Sequence, residues 1–198
     1  MEIRYATKSD LDKVCEILAT EFYNDPVLKH AFKCSAREQR MSALRHFFRI
    51  YAEQACARGG VLLAEDYAGV LIYFRPDFME TTYEVDGMQE SQLKEKYGQD
   101  YATIAALMDG LNDAHPETPK HFYVFAVAIQ SRYRGSKVVN SLFKKLNTIL
   151  DNSKSPCYAE CTSFTMRTLM KRFGYSDAGP PLCISGFPDL FPIWRETQ

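Results

Sequence analysis

A short basic turn at residues 131–139 is the strongest chemical signal in the sequence. It follows a strand-like segment at residues 121–129, which has no polar face after Tyr123, and leads into a segment whose apolar residues have helical spacing. A turn that leaves a buried strand and enters a helix directs several unpaired backbone N–H groups to one point, where the helix dipole adds positive potential. Such a point binds phosphate, and a pyrophosphate group is the ligand that we expect.

The side chains of this turn strengthen the hypothesis. Arg132, Arg134 and Lys137 bring positive charge, and Gly135 allows the backbone to approach a ligand closely. A solvated basic turn, with glycine present only for its dihedral angles, is the alternative, and spacing alone does not decide between the two. A nucleotide-binding fold with another phosphate ligand also stays open, although the sequence lacks the Gly-Lys-Ser/Thr triplet of nucleoside triphosphatases.

Three side chains are candidates for proton transfer. Glu160 lies within an apolar segment, where a carboxylate needs a partner or the raised pKa of a general base; a structural carboxylate is the alternative. Tyr123 can position water or an acceptor, or simply pack in the core. His121 has the intrinsic pKa of a base, but at the edge of a strand we expect it to be exposed.

Hydrophobic periodicity predicts the elements that position these residues. We expect strands at residues 3–6, 60–65, 68–74, 121–129 and 157–161, the second and third joined in a hairpin, and a last strand or hairpin at 182–194. Helices should begin near residue 11 and cover 36–57, 136–150 and 164–173. Residues 77–118 are polar, with helical patches near 90–97 and 101–112, and we interpret them as a helical insertion. One domain spanning residues 1–198 accounts for the whole chain.

Composition limits the partners of the chain. The 24 basic and 25 acidic residues nearly cancel, so no global field attracts nucleic acid or an anionic membrane. No apolar run approaches the ~20 residues that span a bilayer. The six cysteines lack the close spacing of metal sites, and the N-terminus lacks a signal segment. We therefore expect a cytoplasmic protein with free thiols and no metal.

The turn resembles the acyl-CoA motif of the GNAT superfamily of N-acyltransferases. Arg134 takes the basic position of that motif, whereas Lys137 and Val139 stand where the family usually has small residues. The sequence resembles the branch of the superfamily that includes puromycin N-acetyltransferase. This resemblance continues in order along the chain, at residues 7–10, 21–26, 74–76, 121–123, 158–162, 172–175 and 192–195.

This resemblance implies an α/β (α+β) fold, GNAT-like. We expect a mixed, mostly antiparallel central sheet of six to seven strands, with helices on both faces and a V-shaped splay between the central strands. Acetyl-CoA, or another acyl-CoA, is the implied co-substrate. Its binding residues would be Ile129, Ser131, Arg134, Gly135, Ser136, Lys137, Val138 and Val139, with the backbone of the first two facing pantetheine.

The implied activity is N-acyl transfer, in the simplest case acetyl transfer, to a small-molecule amine by a monomer or homodimer. Aromatic residues around the expected acceptor site favour an apolar or aromatic amine, unless they are simply core: Phe22, Tyr23, Phe78, Tyr83, Phe187 and Trp194. Met170 stands where the superfamily often has a tyrosine that protonates the departing thiolate. Met166 stands where an asparagine is common in the superfamily. An acyl-CoA sensor or scaffold that has lost turnover is therefore the second hypothesis.

Overall fold

The computed structural model describes residues 1–77 and 90–197. Its strands are β1 (Ile3–Tyr5), β2 (Gly59–Ala64), β3 (Gly69–Phe74), β4 (Phe122–Ile129), β5 (Cys157–Cys161), β6 (Ser176–Asp177) and β7 (Phe191–Arg195). They form a seven-stranded sheet in the order β1-β2-β3-β4-β5-β7-β6. The central neighbours β4 and β5 are parallel, and the other neighbouring pairs are antiparallel. The predicted mixed, mostly antiparallel sheet is confirmed.

Helices cover both faces of this sheet, as predicted. They are α1 (Leu11–Glu21), α2 (Pro26–Ala31), α3 (Arg37–Arg58), α4 (Glu90–Tyr97), α5 (Tyr101–Ala114), α6 (Val138–Ser153) and α7 (Phe164–Met170). The core of one face combines α1, α3 and α5 with side chains such as Tyr123 and Tyr158. The core of the other face combines α6 and the end of α7 with Val124 and Cys157. None of the helices in the described ranges is long and apolar enough to cross a membrane.

Helix α2 was not predicted, because the sequence Asn24-Asp25-Pro26 looked like an interruption. It is instead a helix start. The carboxylate of Asp25 accepts hydrogen bonds from the backbone N–H groups of Val27 and Leu28, both at 3.0 Å. Pro26 occupies the first helical position, where its missing N–H costs nothing. The break in periodicity therefore marks the boundary between α1 and α2.

The predicted hairpin is formed by β2 and β3, which pair antiparallel. Its turn holds Asp66 (φ 54°) and Tyr67 (φ 56°) in the left-handed region. The turn is stabilised from both sides, since the Tyr67 hydroxyl donates to Asp10 at 2.8 Å and the side-chain amide of Gln130 donates to the Tyr67 carbonyl at 2.6 Å. The end of β4 is thereby attached to the hairpin.

The helical patches predicted within 77–118 are α4 and α5. Helix α5 buries Ile104, Leu107 and Leu111 in the core of the first face. Residues 78–89 of the predicted insertion lie outside the described residues. In the segment 182–194, predicted as a last strand or hairpin, Leu182 and Leu190 form an antiparallel bridge, and β7 (Phe191–Arg195) follows it. The two-residue strand β6 was missed. All six cysteines are free thiols.

Candidate active site

The two central strands part soon after they begin. Phe122 pairs with Cys157 and Tyr123 with Tyr158, and within the described residues the pairing of β4 with β5 goes no further. A cleft of about 670 Å³ opens beyond this point, lined by residues 124–129 of β4 and 159–161 of β5. The predicted V-shaped splay is confirmed. Backbone groups along this part of β4 that would bond to a neighbouring strand face the cleft instead.

A bulge in β4 lies at the point where the strands separate. The register of β3 against β4 pairs Ile72 with Ala126 but Tyr73 with Val124, so Phe125 is an extra residue. Bulges bend a strand and re-aim its groups, and they recur beside active sites. The Phe125 ring stacks on Tyr51 with centroids 4.2 Å apart. The sequence carries no signal for this bulge, because every residue from 122 to 129 is apolar.

The basic turn joins the end of this cleft to α6. Gly135 has φ 80°, which suits glycine, and a side chain there would meet nothing within 4 Å. In the described part of the chain, the backbone N–H groups of Gly135, Lys137, Val139 and Asn140 have no hydrogen-bond acceptor. These unpaired amides lie before and within the first turn of a 16-residue helix, and they form the anion-binding arrangement that the sequence predicts.

Glu21, at the end of α1, is an unexpected partner of the turn. Its carboxylate is 9% exposed and accepts hydrogen bonds from the Ser131 N–H at 2.9 Å and from Arg134 at 2.7 Å. Arg134, predicted to meet phosphate, is therefore paired within the protein, although 65% of its side chain is exposed. Sequence reasoning missed Glu21 because it lies 110 positions from Ser131.

The predicted binding residues divide into three groups in the structure. Those that line the cleft are Ile129, Arg134, Gly135, Ser136 and Val139. Ser131 and Lys137 are exposed on the turn beside it. Val138 is fully buried, and its side chain packs in the core beneath α6. The backbone N–H of Val138 donates to the hydroxyl of Ser136 at 3.4 Å.

Glu160 lies on β5 and lines the cleft. Burial raises the pKa of its carboxyl group to about 7, while the hydroxyls of Tyr123 and Tyr158 act in the opposite direction. The Oε1 atom is buried and accepts no hydrogen bond from the described residues. A carboxyl group with a pKa near neutrality can both take up and release a proton, which suits a general base.

The other two proton-transfer candidates lie at the closed end of the splay. Tyr123 is buried, and its hydroxyl interacts with Glu160. The expectation that His121 is exposed is wrong, since the residue is 1% exposed. It is covered by Trp194 and by His115, each with its ring centroid 4.9 Å away. His115 itself was not singled out from the sequence, because it stands in a polar segment.

Only some of the other residues that were predicted to lie near the reacting groups or the acceptor line the cleft. Met166 and Met170 line it from α7, and Phe22 lines it from the side of α1. The other aromatic residues have partners elsewhere: Tyr23 packs under Arg40, Phe187 against His30, and Trp194 against His121. Phe78 and Tyr83 lie outside the described residues.

Among the described residues that line the cleft, the carboxyl groups are those of Glu21, Asp25 and Glu160, and the cation is Arg134. Asp25 accepts a hydrogen bond from the hydroxyl of Thr162 next to β5, and burial raises the pKa of its carboxyl group. No group of three or more metal-ligating side chains occurs in the described ranges.

Comparisons with known proteins agree with this architecture. No family model matches the chain. An uncharacterized N-acetyltransferase of Schizosaccharomyces pombe is 22% identical over 185 residues, covering 88% of this chain and 74% of that protein. The structure described as histone acetyltransferase HPA2 and related acetyltransferase from Corynebacterium glutamicum matches with a TM-score of 0.71 at 23% identity, covering 99% of this chain and 96% of that one.

An arylalkylamine N-acetyltransferase 2 from Aedes aegypti matches over 100% of this chain and 99% of its own, with a TM-score of 0.65 at 12% identity. These identities are low, but the matches extend over nearly the full length of both solved chains. The seven-stranded sheet, its parted central strands and these matches together show that the chain has the fold of the GNAT acyltransferases.

Proposed function

We propose that this protein transfers an acyl group, in the simplest case acetyl, from coenzyme A to the amine of a small acceptor. The observation that carries the proposal is the continuous path from the unpaired amides at the start of α6, along the open edge of β4, to a buried carboxyl group with a pKa near 7. Such a path joins a phosphate-binding end to a proton-accepting end.

The thioester substrate fits the residues that are present. The diphosphate would lie at the amides of Gly135, Lys137 and Val139, where the start of α6 supplies positive potential. Pantetheine would extend along the open side of β4, whose backbone groups there have no strand partner among residues 1–77 and 90–197. The same backbone supplies N–H groups that can stabilise the oxyanion of a tetrahedral intermediate.

The acceptor must lose a proton before its nitrogen can attack. Glu160 is the proposed base: its carboxylate takes a proton from the ammonium group, and the electron pair left on nitrogen attacks the thioester carbon. The tetrahedral intermediate then loses a second proton from nitrogen and its C–S bond breaks, so that coenzyme A leaves as a thiolate, which takes up that proton to become the free thiol. Acidic residues along the cleft favour a cationic amine, and apolar neighbours such as Phe22 and Leu169 favour an apolar body. Together they support a small amine with an apolar or aromatic portion.

The direct test measures the release of free CoA thiol from acetyl-CoA with a panel of arylalkylamines, aliphatic amines and a lysine peptide. We expect release above the no-protein rate with at least one apolar amine. Glu160→Gln should abolish the increase, whereas Glu65→Gln, an exposed carboxylate in the β2–β3 turn, is the matched control and should leave it unchanged. Release at the background rate with every amine would contradict the proposal.

A module that binds acyl-CoA without turnover is the second candidate. It is favoured by Met170, which lines the cleft where the resemblance implies a proton-donating tyrosine. This candidate predicts stabilisation by CoA without thiol release. A ligand at about 100 times its dissociation constant stabilises a protein by roughly 2.7 kcal/mol, which a thermal melt detects readily. An unchanged melt at saturating CoA would contradict both candidates.

A further inference from the structure

A buried pair of histidines lies at the closed end of the splay, directly behind the proposed base. His115 and His121 stack with ring centroids 4.9 Å apart. The His115 ring also meets Tyr123 and Tyr158 edge-on, with centroids 4.9 and 5.0 Å away. These tyrosines form the last pair before β4 and β5 separate. The histidine pair therefore contacts the side chains that flank Glu160.

The hydrogen bonds of this pair determine where its protons lie. His121 Nδ1 is 2.7 Å from the carbonyl oxygen of Pro119, which can only accept, so Nδ1 carries the proton. Neutral His121 then has an unprotonated Nε2. That atom is 2.9 Å from His115 Nε2, which must therefore be the donor. Neutral His115 is left with an unprotonated Nδ1.

This unprotonated nitrogen faces the carboxyl group of the proposed base. His115 Nδ1 lies 3.9 Å from Glu160 Oε1, the buried oxygen that accepts no hydrogen bond from the described residues. The two atoms are about 1 Å too far apart for a hydrogen bond. A lone pair close to this oxygen repels a carboxylate but accepts the O–H of a carboxylic acid.

We propose that His115 is a positioning residue for Glu160, held by His121 and the Pro119 carbonyl in the tautomer whose unprotonated Nδ1 favours the protonated carboxyl group. The inference rests on the proposed function in taking Glu160 as the base. When Glu160 takes a proton from the acceptor ammonium group, the N–H bond breaks, an O–H bond forms on the carboxylate, and that O–H can donate to Nδ1. Fixing His115 in this tautomer thus helps to hold the abstracted proton on Glu160 until the amine has attacked.

The other groups that face Glu160 do not provide this effect. The hydroxyls of Tyr123 and Tyr158 favour its charged form, and the thiol of Cys161, next along β5, has a pKa raised by burial to about 12 and stays neutral. Burial also lowers the pKa of His115 to about 3 and that of His121 below its ordinary value. At neutral pH both histidines are therefore uncharged, and the tautomer argument holds.

The test measures the Glu160 titration by carboxyl ¹³C NMR in four proteins: wild type, His121→Phe, His115→Phe and the double variant. Without His121, His115 is free to change tautomer and to donate from Nδ1, so the Glu160 midpoint should fall by about one pH unit. With His115 already replaced, the His121→Phe change should have no effect. An equal shift in both backgrounds, or none in the wild-type background, would overturn the proposal. His30→Phe, a substitution outside this cluster, should leave the midpoint unchanged.

A second measurement needs no variant and so holds even if a substitution prevents folding. Long-range ¹H–¹⁵N spectra of the wild-type protein report which ring nitrogen of each histidine carries the proton. We expect Nδ1–H on His121 and Nε2–H on His115, and the reverse assignment at His115 would overturn the proposal. Neither measurement involves turnover. A failure of the thiol-release assay can therefore be distinguished from a His115 tautomer that contradicts the proposal.

Discussion

Replacing Glu160 with glutamine should stabilise the fold at alkaline pH while removing activity. Burial raises the pKa of this carboxyl group from 4.5 to about 7 in the folded protein. The unfolded chain releases the proton near the lower value. Between these two pH values the folded state binds more protons than the unfolded state, so the stability that Glu160 contributes is complete below pH 4.5 and is lost as pH rises through 7.

The size of the effect follows from this shift. Each pH unit of difference between the two pKa values corresponds to roughly 1.4 kcal/mol, so the ionised carboxylate costs the wild-type fold about 3.5 kcal/mol above neutrality. Glutamine has nearly the same shape and does not ionise. Glu160→Gln should therefore gain about 2.5 kcal/mol relative to wild type between pH 5 and pH 8, or roughly 5 to 10 °C in melting temperature.

Urea unfolding of both proteins at pH 5, 6, 7 and 8 provides the assay. His115 and His121 have lowered pKa values, so their contribution to stability rises with pH, opposite in sign to that of Glu160, but it is common to both proteins and cancels in the difference. Thiol release should fall about 100- to 10,000-fold in the variant. A stability difference that is the same at pH 5 and pH 8 would refute the reasoning.

The other predictions concern the turn and α2. Gly135→Val should weaken CoA binding at least about tenfold, because a β-branched residue is strained at φ 80° and its side chain enters the space that a ligand would fill; unchanged affinity by calorimetry would mean that the turn is misassigned. Glu21→Gln should tighten CoA binding by a factor of about 2 to 5, since it releases Arg134 from an ion pair, and weaker binding would contradict this. Asp25→Ala should destabilise the protein by about 1 to 2 kcal/mol in a urea melt through loss of the α2 cap, whereas Asp25→Asn should retain most of that stability.

The sequence was sufficient for most of the elements, because those depend on local patterns. Periodicity placed β4, α6 and the β2–β3 hairpin close to their observed bounds, and the glycine of the basic turn pointed to its left-handed geometry. Glu160 also stood out locally, as an isolated carboxylate in an apolar strand. The resemblance to a known superfamily added the mixed, mostly antiparallel sheet and the splay, which no local pattern specifies.

The partners of the site residues were not predictable, because they come from distant parts of the chain. Glu21 meets Ser131 across 110 positions, and His115 meets Glu160 only because α5 ends beside the start of β4. The expected exposure of His121 failed for the same reason, since Trp194 covers it from β7. The local sequence predicts where a strand begins and ends, but it does not reveal which distant residues pack over that strand.

The position of β7 has a consequence for how the protein is made. β5 shares two residue pairs with β4 but five with β7, from Cys157 with Arg195 to Cys161 with Phe191. Strand β5, which carries Glu160, is thus held mainly by β7, the last strand of the sheet to leave the ribosome. We expect nascent chains that stop before Phe191 to lack the cleft and to expose β5 as an unpaired edge strand. Unpaired edge strands are prone to aggregate, and chaperones would recognise this state.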